Sequence, residues 1–104
     1  MNTIHINTTS NKEIIIGLTV GKKEDRLKEA IGEQKAQIVL SLIDTLLKKH
    51  NLTVQDLDAI EVNIGPGSFT GLRVGISVAN TLGTTLQVPI NGQKPGVLAE
   101  PRYT

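Results

Sequence analysis

Aromatic residues are almost absent from this chain: Phe69 and Tyr103 are the whole complement, and there is no tryptophan. A core made from such a sequence is aliphatic, of Ile, Leu, Val and Ala. Two rings also make no stacking platform for single-stranded nucleic acid, which needs several exposed aromatic faces. Cysteine is missing altogether, which removes disulfides, thiolate nucleophiles and zinc–thiolate sites together. No charge of one sign dominates, since 11 Lys and Arg stand against 10 Asp and Glu for a formal net charge of +1. Nothing electrostatic therefore demands a nucleic-acid or anionic membrane partner. No apolar run approaches the roughly 18 residues of a membrane span. Met1-Asn2-Thr3-Ile4-His5 lacks the charged and apolar regions of a secretory signal. A cytoplasmic location without membrane contact is the expectation.

What is present fits one domain. At 104 residues and 38% hydrophobic, the chain has room for a core but not for a second lobe. Thr3-Ile4-His5-Ile6 alternates and reads as a first strand, and the polar cluster Asn7–Asn11 turns the chain. Glu13–Val20 is rich in β-branched residues and returns as a hairpin. Its three successive isoleucines, Ile14 to Ile16, suggest burial on both faces. Asp25–Ala30 is too polar for a core strand and reads as a charged edge strand.

Glu33 to His50 is the first long helix. Val39, Leu42, Ile43, Leu46 and Leu47 follow the spacing of a buried stripe. Ala36, Ile38 and Leu40 widen the apolar arc to about 200°, against the roughly 100° a surface helix needs. Either the helix lies between the sheet and a neighbouring helix, or it buries surface against a partner. Thr53 and Asp56 have the spacing of a capping box around one helical turn. Ile60–Ile64 alternates as a strand, and Gln87–Asn91 reads as a brief last strand, with Pro89 placing it at a strand start or an edge. Residues 95–104, interrupted by Pro95-Gly96 and Pro101, read as a tail that is loose or holds only one turn. The order of elements implies an α/β fold: a mixed sheet with two long helices, the helix-linked strands parallel.

Between the strand at 60–64 and the helix at 71–86 lies Gly65-Pro66-Gly67-Ser68-Phe69-Thr70-Gly71. A glycine-rich turn feeding a helix N-terminus suits an anion, and Arg73 follows closely. Yet the lysine of a phosphate loop is absent, and Gly71 falls one residue too late for a dinucleotide fingerprint. A capped structural turn, with Ser68 as the cap, is the plainer reading. Gly71, Gly75, Ala79 and Gly83 recur every fourth residue of the helix, a small-residue ridge of the kind that lets helix backbones approach closely. The opposite arc holds Ser77, Asn80, Thr81, Thr84 and Thr85, with Arg73 its only charge. Such a face resembles an interface interior, where charged residues are depleted.

No catalytic constellation assembles. Asp44 and Asp58 have no neighbouring carboxylate, His5 and His50 lack ligand spacing, and Ser68 has no evident base. No catalytic residue, metal or cofactor is expected.

Asn63-Ile64-Gly65-Pro66-Gly67-Ser68-Phe69-Thr70-Gly71-Leu72-Arg73-Val74-Gly75 resembles the G-R-G-P-G-S-F-T-G-L-R-x-G stretch of the bacterial TsaB family, which serves threonylcarbamoyl-adenosine formation on tRNA. Thr3–Thr9 resembles that family's opening I-L-A-I-D-T-S, Val39–Leu47 its L-L-P-L-I-D-x-L-L helix, Asp56–Ile60 its L-x-D-L-D-A-I, and Leu86–Ile90 its L-G-I-P-L strand. The likeness runs to about Gly92. It implies a single actin-like (ribonuclease H-like) lobe over 1–94, with 95–104 a short tail and the family's second lobe absent. It also implies a role rather than a reaction: a non-catalytic partner of a TsaD-like enzyme, with tRNA met only through the complex and a TsaE-like ATPase as a further possible member. The implied contact surface, on a TsaD-like protein or a second copy, is formed by Ala36, Val39, Leu40, Ile43 and Leu47 of the first helix and Gly71, Val74, Gly75, Val78, Ala79 and Leu82 of the second. A stand-alone homodimer, or a nucleotide- or tRNA-binding module using Gly65–Gly71 and Arg73, are the alternatives. Asn7 replaces the family's usual Asp, and Lys35-Ala36-Gln37 stands where H-S-E is common.

Overall fold

The computed structural model describes residues 1–31 and 35–103. Strands β1 (Asn2–Asn7), β2 (Glu13–Val20) and β3 (Lys23–Ala30) form an antiparallel meander. Helix α1 (Lys35–Lys49), a single 3₁₀ turn at Val54–Asp56, strand β4 (Ala59–Val62) and helix α2 (Phe69–Leu86) follow. β4 pairs parallel to β1, so the sheet order is β3-β2-β1-β4. Gly32, Glu33 and Gln34, including the expected start of the first helix, lie outside the described residues.

Alternation decides the layering. Ile4 and Ile6, Ile14, Ile16 and Leu18, and Ile60 and Val62 point to one face, where all are buried. Val39, Leu42, Ile43, Leu46 and Leu47 of α1 and Leu72, Ile76 and Ala79 of α2 complete the same core. The charged β3 is the outer strand, as its composition predicts, and Leu27 packs partly against the core from there. Asn51 stops α1 in the left-handed conformation at φ 57°. Asp56 accepts from the Thr53 amide at 2.7 Å and the Thr53 hydroxyl at 3.2 Å, so the expected capping box forms around the short turn.

The chain departs from the sequence reading at three places. Both helices pack on one face of the sheet, so Ile15 is only half-buried. With His5, Gly17 and Thr19 it lines an open groove of about 430 Å³ on the other face. The expected last strand shrinks to one parallel bridge between Ile60 and Ile90. Asn91 turns away at φ 53°, and its side-chain amide makes the next bonds to Val62, from N–H at 2.8 Å and to C=O at 3.0 Å. A side chain thus does the work of a ladder residue. Finally, residues 97–103 are not loose. Ala99 is tied to Asn80 by two hydrogen bonds, and the Arg102 amide donates to the Ile64 carbonyl at 2.6 Å.

Candidate functional site

The glycine loop is built by its neighbours as much as by its own residues. Gly65 sits at φ 115°, a conformation that excludes side chains, and the Gly65–Pro66 peptide is cis. Ser68 caps α2, its hydroxyl accepting from the Gly71 amide at 3.4 Å. The Ser68 amide donates to Thr9 C=O at 2.8 Å and the Gly65 amide to Asn63 Oδ1 at 3.0 Å. Three amides of the loop therefore already have acceptors within the chain. Asn7 accepts from the Thr9 amide at 3.1 Å and the Thr9 hydroxyl at 2.8 Å, and so braces the turn against which the loop rests.

The small-residue ridge faces inward, and the expectation that it meets another molecule is corrected here. Gly71, Gly75, Ala79 and Gly83 are all buried. A methyl on Gly75 would overlap Thr8 Oγ1, one on Gly71 the Thr8 carbonyl, and one on Gly83 the end of Ile90. The close approach that the ridge permits is within the same chain, to Thr8 just after β1 and to Ile90. Thr8, only 1% exposed, donates its hydroxyl to Gly71 C=O at 2.6 Å. Val39, Ile43 and Leu47 likewise belong to the chain's own core, so none of these residues is free to dock.

Of the other residues expected at the interface, Ala36, Val74 and Val78 line one groove. Ala36 of α1 and Phe69, Thr70, Arg73, Val74, Ser77 and Val78 of α2 line an open groove of about 470 Å³ between the two helices. Leu40, 50% exposed, lies one turn along α1 from Ala36, while Leu82 is half-buried. Phe69 is 57% exposed at the mouth. The Arg73 guanidinium lies 5.4 Å from its ring centre, a cation–π contact. Tyr103 stacks on Phe69, ring centres 4.8 Å apart with 24° between planes. Sequence reasoning placed Tyr103 in a loose tail. The signal that was available is that it is, with Phe69, one of only two Phe, Tyr or Trp residues in the chain.

Groups with chemical potential stand elsewhere and are occupied. His5 Nε2 is 2.8 Å from Thr19 Oγ1 and its Nδ1 is 3.5 Å from Glu61. His50 Nε2 and Lys49 Nζ lie 3.0 and 2.8 Å from the Asp25 carboxylate. Those contacts, that of Lys49 first, hold Asp25 down from 3.8 to about 2. Among the described residues no group of His, Cys, Asp or Glu is arranged to hold a metal ion, and no helix is long and apolar enough to cross a membrane.

The family model described as TsaD, tRNA N6-adenosine threonylcarbamoyltransferase, matches residues 28–92, from β3 through α2 to the bridge at Ile90. The chain belongs to the TsaD family. Within it the similarity runs to TsaB proteins. "tRNA threonylcarbamoyladenosine biosynthesis protein TsaB" of Buchnera aphidicola is 33% identical over 82 residues, covering 78% of this chain and 34% of that protein. TsaB of Bacillus subtilis is 43% identical over 49 residues, 47% of this chain and 21% of that protein. The solved structure of YeaZ from Pseudomonas aeruginosa superposes with a TM-score of 0.81 at 27% identity, over 89% of this chain and 43% of that one. A second structure, of a protein with similarity to peptidase YeaZ from the same organism, gives 0.80 at 28% identity, over 86% of this chain and 41% of that one. The chain thus spans less than half the length of each of these proteins, and its fold is a single α/β lobe of theirs.

Proposed function

We propose that this lobe is a non-catalytic partner that docks onto a TsaD-like enzyme in threonylcarbamoyladenosine formation on tRNA. The observation that carries the reading is the groove between α1 and α2. It is apolar and hydroxyl-lined, has Arg73 as its only charge among the described residues, and is flanked by exposed Leu40 and Phe69. Interfaces deplete charge at their centres and keep Arg and aromatic residues as anchors. The docking residues are Ala36, Leu40, Phe69, Arg73, Val74 and Val78, with Leu82 at the edge. A non-catalytic role is supported by the use made of Ser68, whose hydroxyl serves the helix cap. In this reading a TsaE-like ATPase and tRNA are met through the complex, in the cytoplasm.

Size-exclusion chromatography with light scattering tests this, on the chain alone and mixed with the TsaD-like protein of the same organism. A 1:1 mixed complex is expected. Leu40→Lys combined with Ser77→Lys, both at exposed positions, is expected to weaken it at least tenfold, about 1.4 kcal/mol, without moving the melting temperature. A homodimer that ignores the enzyme would replace this reading with self-association through the same groove.

A further inference from the structure

Residues 99–103 are held against α2 and the loop before it by contacts to Asn80, Ile64 and Phe69. Asn80 uses both ends of its side-chain amide on the backbone of one residue: Nδ2 donates to Ala99 C=O at 3.0 Å, and Oδ1 accepts from Ala99 N–H at 2.8 Å. Three residues on, the Arg102 amide donates to Ile64 C=O at 2.6 Å. Its carbonyl passes so close over Gly65 that a side chain there would overlap it. Tyr103 then lies on the Phe69 ring. Main-chain bonds at intervals, with one ring seated in a side-chain contact, are the way folded proteins hold extended peptides. Glu100-Pro101 suits this, since the residue before proline is biased to extended backbone. None of these contacts depends on the segment belonging to the same chain. It leaves the body through Gly92 and Gly96, at φ 74° and 96°, with only exposed residues from 91 to 98. Exchange of such an element between identical molecules keeps every contact and changes only the connection.

We propose that Asn80, the Ile64 carbonyl, Gly65 and Phe69 form a binding site for an extended peptide, filled here by residues 97–103 and open to the same segment of a second copy. The site adjoins the helix groove through Phe69 but does not depend on the function proposed above.

The test is a fluorescently labelled peptide of residues 97–103 titrated into three proteins, each carrying residues 1–104. In the parent chain the tethered segment competes at an effective concentration of roughly millimolar, so the peptide is expected to bind weakly. Ala99→Pro with Tyr103→Ala removes the tethered segment's donor and ring without touching the site, and is expected to bind at least tenfold more tightly. Adding Asn80→Ala to that variant is expected to abolish binding. Tyr103→Ala alone, at a residue 42% exposed, repeats the comparison should the double variant unfold. Equal binding by parent and variant would place the peptide elsewhere and overturn the proposal. No binding to the variants up to about 1 mM peptide would overturn it too, making the segment an integral part of the fold.

Discussion

At Gly75 the difference between a hydrogen and a methyl decides how close α2 comes to the end of β1. Thr8 fills the space a side chain would need, and its hydroxyl binds the Gly71 carbonyl one turn earlier. Gly75→Leu is therefore expected to act on stability before it acts on any partner. Forcing a side chain into a packed site costs roughly 2–3 kcal/mol, a fall in melting temperature of about 10–20 °C for a domain of this size. Thr8→Val, which keeps the shape and removes the buried hydrogen bond, should cost about 1–2 kcal/mol. Both are read by thermal unfolding followed by circular dichroism. A variant of Gly75 that melted like the parent would show that the ridge is not held against Thr8.

Among the elements, α1 and α2 are positioned by different devices. The start of α2 depends on its cap: Ser68→Ala is expected to cost about 1 kcal/mol, and Ser68→Asp to restore most of it. The end of α1 is tied to the edge strand β3 by Asp25, which faces Lys49 and His50. Because the folded state holds this carboxyl at about 2, below its unfolded range, its contribution is present above about pH 4. It fades as pH falls toward 2. Asp25→Asn should lower the melting temperature between pH 5 and 8, and the two proteins should converge near pH 2. A difference that persisted unchanged into acid would mean that the carboxylate pairing is not what Asp25 contributes.

For the whole molecule, charge sets the expectation for nucleic acid. A net charge of +1 neutralises few phosphates, and three amides of the glycine loop are already used within the chain. Filter binding of the isolated chain to tRNA is expected to be weak, with a shallow salt dependence. Tight, steeply salt-dependent binding by the chain alone would favour the tRNA-module reading, since each displaced counterion adds to that slope.

Strand and helix positions were legible because alternation and the 3.6-residue period are local properties. Ile4, Ile6, Ile16 and Val62 lie on the buried face, and Val39 to Leu47 form the stripe, as their spacing requires. The cap at Ser68 and the polar edge strand were legible for the same reason. Spacing places residues on a helix, but it does not say which neighbour a face meets. The ridge at Gly71, Gly75, Ala79 and Gly83 has the same pattern whether it meets Thr8 or a foreign helix, and only the packing of α2 on the end of β1 settled that. The wide arc of α1 divided similarly: Ile38 is partly buried beside the core, while Ala36 and Leu40 stay exposed beside the groove. The seat of residues 97–103 left no periodic trace at all, because Asn80 and Ile64 recognise backbone rather than side chains. Local pattern determined the elements and the aliphatic core of this protein; which surfaces remained free was decided only by tertiary packing, because the same small side chains suit either neighbour.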